Sequence, residues 1–182
     1  MVRHDATVAD DAIELSMAEL REVAGYASAC AQPALTIFEG AFPADPRPRA
    51  AIDAAQAFAD GAERSKHIRD CAWAAQRAAQ EARDTGKAAA SEAARAALAA
   101  AGAAYLHPLA KATQVKHILG AAAHAARALE LATGEEHPAE HLARSRELAN
   151  PVVVDVLRRF PPAPSGGARP GELIRRLDGL LR

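Results

Sequence analysis

The stretch KAAASEAARAALAAAGAA, Lys87–Ala104, constrains the fold more than any other, since twelve of its eighteen residues are alanine. Alanine has the highest helix propensity because ordering it costs no side-chain entropy. Strands instead favour β-branched and aromatic residues, which fill a pleated surface. The bias is general: 50 of the 182 residues are alanine, and aromatic residues make up 4%. β-branched residues cluster only in PVVVDV, Pro151–Val156. The chain is therefore expected to be all-α, a compact bundle or orthogonal array of six to seven alanine-rich helices. Methyl-sized faces let neighbouring backbones approach closely.

Local punctuation places the helices. SMAE at Ser16–Glu19 reads as a capping box, with the glutamate reaching back to the cap. The helix it opens is expected to reach about Ala31, where Pro33 interrupts it. FPADPRPR links it to a helix lined by Ile52, Ala55, Phe58 and Ala59. A third helix spans about Ser65–Arg83 and breaks at Thr85-Gly86. The alanine stretch forms the fourth, with Lys87, Ser91, Glu92 and Arg95 marking its wet side. Pro108 is placed to open a fifth helix, which ends at Gly134. A sixth starts near Pro138 and restarts at Asn150-Pro151, where Asn150 caps the new segment. A last helix over Gly171–Leu181 buries Leu173, Ile174, Leu177 and Leu180. The expected organisation is a loose arm over residues 1–15 and a helical domain over 16–161. A Pro/Gly connector over 162–170 then leads to a C-terminal helix, 171–182, packed on the same domain. No fixed repeat of 30–50 residues is present.

Charge excludes some functions. The formal net charge is −1, which argues against nucleic-acid binding through a basic surface. The ends differ in sign: acidic residues dominate Met1–Ala24, and arginines dominate Asp155–Arg182. Either the two ends simply solvate or meet each other across the fold, or the C-terminal arginines form a patch for an acidic partner. MVRHDATVADD is polar and acidic, unlike a secretory signal, and no apolar run is suited to a membrane. Cys30 and Cys71 lie far apart on apolar arcs and read as buried free thiols. Together these features point to a soluble cytoplasmic protein.

Two places carry unusual side chains. In SKHIRDCAWAAQRAAQEAR, Trp73 shares a helix face with Arg69, Gln76, Arg77 and Gln80. An indole on a polar face needs a cover. The cover is either another part of this chain or a partner protein, where Trp and Arg are enriched at binding hot spots. In YLHPLAKATQVKHILGAAAHAA, Gln114, His117 and His124 share a flank of the fifth helix, while Lys116, Gly120 and Arg127 face solvent. The flank is either a pocket wall, with Tyr105 and His107 nearby, or a contact with a neighbouring helix. His117 and His124 stand about 10 Å apart along the axis, too far to share a small metal ion. Only His137 and His141 have the i, i+4 spacing of a zinc pair, and they lack an obvious third ligand. No Glu-x-x-His pair, G-x-S-x-G, Walker loop or G-x-G-x-x-G is present. Catalytic residues, a metal and a cofactor are accordingly not expected.

DPRPRAAIDAAQAF (Asp45–Phe58), YLHPLAKATQVKHILGAAAHAARALELA (Tyr105–Ala132) and VVVDVLRRFPPAP (Val152–Pro164) are the distinctive strings. Through them the sequence resembles an actinobacterial family of small helical proteins described as immunity proteins. Some members carry a label naming an exonuclease subunit, and the ATPase loop such a subunit needs is absent here. The resemblance implies a cytoplasmic helical protein that binds and neutralises a cognate toxin. It brings no catalytic residues. Within the strings, Arg47, Arg49, Tyr105, His107, Gln114 and His117 become binding candidates, beside Trp73, Arg69, Arg77 and His124 from the helix faces. The first expectation is therefore a protein-binding module acting by steric occlusion. A small-molecule binder or enzyme with a His/Gln/Tyr-lined pocket, or a purely structural helical module, are the alternatives.

Overall fold

The computed structural model describes residues 12–134 and 138–182. Among the described residues the order is α1 (Met17–Ala41), α2 (Arg47–Ala59), α3 (Lys66–Asp84), α4 (Ala88–Ala103), α5 (Val115–Thr133), α6 (Ala139–Leu148), α7 (Pro151–Arg158) and α8 (Ala168–Leu181), with no strand. The all-α class holds. Among the described residues the helices number eight rather than six to seven, because the Asn150-Pro151 step caps α7 as a separate helix.

The alanine stretch becomes the centre of the molecule. A helix that is apolar all round must be buried all round, and α4 packs against α1, α2, α3 and α5. Ala90, Ala93, Ala94, Ala96, Ala97, Ala100, Ala101 and Ala103 are all buried along it. Small side chains set the spacing: a Cβ on Gly120 of α5 would stand 3.6 Å from that of Ala99. Gly120 is therefore buried against α4, not on the solvent side where periodicity placed it. Ser91, expected on the wet side of α4, is also buried, and its hydroxyl donates to the Ala79 carbonyl of α3 at 2.8 Å. The larger side chains fill what alanine leaves, chiefly Leu35, Phe38, Phe58, Ile118, Leu119, Leu157, Leu173 and Leu177. Each such burial contributes on the order of 1.5–3 kcal/mol.

Two proline expectations fail, for different reasons. Pro33 does not end the first helix, and α1 runs through it to Ala41. The missing N–H forfeits one rung of the ladder, but Ala31, Ala34, Leu35 and Phe38 are buried on both sides of it, and their packing carries the helix on. Pro108 does not open α5. The Leu109 and Lys111 amides bond back to the His107 and Leu109 carbonyls, a 3-10 turn follows at Ala112–Gln114, and α5 begins only at Val115. The caps fare better. Ser16 accepts from the Glu19 amide at 3.1 Å while Glu19 accepts from the Ser16 amide at 2.8 Å. Asn150 accepts from the Val153 amide at 3.0 Å, and Gly134 closes α5 in the left-handed region.

The oppositely charged ends meet. Arg159, at the C-cap of α7, bonds Glu19 at 2.6 Å, the Glu14 carbonyl at 2.8 Å, and Asp155. Arg169 bonds the buried Glu130 at 2.5 Å, which ties the start of α8 to α5. Arg175 and Arg182 bond backbone carbonyls of the segment before α8. These arginines are engaged within the chain. Most of the expected N-terminal arm lies outside the described residues; its last part is tied down where the Ile13 amide donates to the Pro108 carbonyl at 3.0 Å.

Candidate functional site

Trp73 is 61% exposed, the most exposed large apolar side chain among the described residues. It stands at the rim of an open cleft of about 660 Å³ between the first turns of α3 and the segment following α4. Arg64, Lys66, Arg69 and Asp70 line one side, and Tyr105, His107 and Pro108 the other. The helical repeat explains the first side, because Lys66, Arg69, Asp70 and Trp73 fall three or four residues apart on one face.

The cleft is braced from below. The Tyr105 hydroxyl donates to the Ser65 carbonyl at 2.7 Å, which fixes the ring across the start of α3. The Arg69 guanidinium lies 4.9 Å from the ring centroid, and that of Arg64 lies 5.7 Å away. Both are within cation–π range. Gln114 accepts the His107 amide at 3.0 Å and so holds the far rim without entering the cleft. Lys66 and Asp70 pair with each other at 2.8 Å. That leaves Arg64 and Arg69 as two cations held by an aromatic face rather than by a carboxylate. The cleft thus offers an exposed indole beside net positive charge.

The remaining candidates do not converge here. Arg77 follows Trp73 one turn along α3, exposed, beyond the cleft lining. Arg47 clamps Asp45 at 2.6 Å and Glu81 of α3 at 2.5 Å, and holds both carboxyls below the usual carboxylate range. Arg49 bonds Glu39 of α1 at 2.6 and 2.8 Å. These two arginines join helices. The Gln114–His117–His124 flank is not one wall. His117 packs against Gly102 of α4, where burial, with Lys116 and His107 adding to it, lowers its pKa to about 4. His124 bonds Glu92 of α4 at 2.7 Å in a separate cleft.

The thiols match their expected burial. Cys30 and Cys71 are both free and buried. Desolvation raises the Cys30 thiol to about 11 and also raises that of Cys71. His67 reaches the Cys71 sulfur at 3.6 Å, but a raised thiol pKa is the opposite of nucleophile activation. Among the described residues no group of three or more His, Cys, Asp or Glu is placed to hold a metal ion, and His137 lies outside them. No helix among them is long and apolar enough to cross a membrane.

Of the residues singled out from sequence, the fold brings Trp73, Arg69, Tyr105 and His107 together at this cleft, where Arg64, Lys66 and Asp70 join them. Lys66 and Asp70 continue the helix face that carries Arg69 and Trp73, whereas Arg64 precedes the helix and carries no periodic signal.

Fold and cleft define an all-helical protein with an open aromatic and cationic recess on one face. Residues 14–151 match the family described as "Imm-5 like putative immunity protein", and the chain belongs to that family. No curated protein and no solved structure matches it.

Proposed function

We propose that this protein neutralises a cognate toxin by binding it with the Trp73 face and covering its active surface. The exposure of Trp73 beside Arg64 and Arg69 carries the reading: an indole left in water next to charge-bearing arginines is the composition of a binding hot spot. Membership in an immunity family supplies the class of partner. Complementarity selects an acidic region on that partner, with an apolar group to cover the indole. The mechanism is occlusion by a preformed surface. The rods behind the cleft are fixed by the buried α4, so little order has to be created on binding. Arg77 extends the contact along α3, and His107 forms its opposite edge.

Capture from a native host lysate tests this, with wild-type protein and Trp73→Ala as paired baits. The wild-type bait is expected to recover one stoichiometric partner that the variant loses. That partner, expressed alone, is expected to arrest growth, and co-expression of wild-type protein but not Trp73→Ala restores growth. Failure to recover any stoichiometric partner overturns the reading.

A further inference from the structure

A second cleft shares no lining residue with the first. It opens between α4, α5 and the loop that leads into α8, with a volume of about 540 Å³. That size falls in the range of small-molecule sites. One wall is apolar, made by Pro164, Ala168, Pro170 and Ile174. The other is charged, with Glu92 and Arg95 from α4, Lys116 and His124 from α5, and Thr113 from the turn before α5.

The charges do not cancel. Glu92 is already engaged by both neighbours: His124 Nδ1 lies 2.7 Å from one carboxylate oxygen and Arg95 Nε lies 4.0 Å from the other. Lys116 forms no ion pair among the described residues and is exposed at the rim. Arg95 and Lys116 together outweigh Glu92, so the recess carries an unmatched positive charge facing an apolar wall.

The apolar wall is held open. Arg175 donates to the carbonyls of Pro164 at 3.1 Å and Gly166 at 2.7 Å. Gly171 sits so close beneath the loop that a Cβ there would stand 2.1 Å from the Gly166 oxygen. The loop is thus pinned to α8 and does not fold into the recess. These wall residues lie beyond the matched segment 14–151.

We propose that this cleft binds a small amphipathic carboxylate. The anionic head sits against Lys116 and Arg95, and a short apolar body lies on Pro164, Pro170 and Ile174. An amine of the same shape meets two cations. A neutral alcohol leaves the Lys116 charge unmatched, and inorganic anions make no use of the apolar wall.

The test is titration calorimetry at low salt with octanoate, octylamine and 1-octanol, each to about 2 mM, near the weak limit of specific binding. Octanoate is expected to bind once per chain, and the other two at least tenfold more weakly. Lys116→Met and Thr113→Glu, both at exposed positions, are expected to weaken octanoate about tenfold, the effect of one charge-assisted contact. Lys87→Met, at an exposed lysine away from the cleft, leaves octanoate binding unchanged. Circular dichroism confirms that each variant is folded. The proposal is overturned by absence of saturable octanoate binding, by equal binding of octylamine or octanol, or by wild-type affinity in Lys116→Met.

Discussion

The guanidinium of Arg69 lies 4.9 Å from the centre of the Tyr105 ring, and the hydroxyl of that ring donates to the Ser65 carbonyl at 2.7 Å. One aromatic residue therefore positions an arginine without neutralising it. A carboxylate in the same place would quench the charge that a partner has to read.

Stability and binding should separate at this site. Arg69→Ala is expected to cost only about 0.5–1 kcal/mol of folding stability, the range for an exposed cation–π contact. Its effect on partner affinity should be larger, about 2 kcal/mol or more, as for a hot-spot arginine. Arg47→Ala should behave in the opposite way. It leaves Asp45 and Glu81 without their shared cation and is expected to cost about 1–2 kcal/mol of stability, with partner affinity little changed. Urea unfolding and partner titration on both variants check this. Equal binding losses for the two variants would show that the cleft does not set the interface.

Acid should weaken the junction between the two ends of the chain. Hydrogen bonds from Arg159, then from the Ser16 backbone, lower the Glu19 carboxyl to about 2. A depressed carboxylate pKa adds stability above the unfolded value, near 4.3, and that stability is lost as pH falls through the folded value. Glu19→Gln keeps a side-chain oxygen for the capping box and removes only the charge. The variant is expected to be less stable than wild type by about 1 kcal/mol at pH 7, because the pair is partly exposed. The gap should close between pH 4.5 and pH 2. Thermal unfolding of both proteins across that range decides it.

A second acid effect should appear earlier. His117, packed on α4 beside Lys116, is pushed down to about 4 mainly by burial. The fold thus favours the neutral ring. Its contribution is complete above the unfolded pKa near 6.5 and is lost as pH falls from 6.5 to 4. The loss is on the order of 1–3 kcal/mol. His117→Gln, which gains no proton, is expected to lose less stability than wild type between pH 7 and pH 5. NMR titration should place the His117 midpoint near 4, and a midpoint near 6.5 would contradict the buried environment.

These contacts also show where sequence reasoning stops. The cap at Ser16 and the restart at Asn150 are local chemistry, complete within four residues, and both were legible. So was the face that joins Arg69 to Trp73. Arg47 and Arg49 were binding candidates only because they fall in the distinctive strings; that Glu81 and Glu39 on other helices engage them is not legible from spacing. Gly120 and Ser91 looked exposed because an alanine-rich helix has weak contrast between its faces, and α4 has neighbours on nearly every side. Periodicity gives the direction of a residue around one axis. It does not say how many other helices stand there.

The two glycines within α8 should respond in opposite directions to the same substitution. Gly171 lies under the Gly166 carbonyl, and a Cβ there would approach that oxygen to 2.1 Å. The atom in the way is backbone, and that segment is also fixed by Arg175, so relief requires the loop to lift. Gly171→Ala is therefore expected to destabilise the protein by about 1–3 kcal/mol, the usual cost of overpacking. Gly179 has nothing within 4 Å of its would-be Cβ and sits on an exposed side of the same helix. Replacing glycine by alanine inside a helix gains about 0.5–1 kcal/mol when no contact opposes it. Gly179→Ala should accordingly raise the unfolding midpoint while Gly171→Ala lowers it. Matched urea titrations of both variants provide the measurement. A neutral Gly171→Ala would mean that the loop is not held against α8, and the rigid wall assigned to the second cleft would be lost with it.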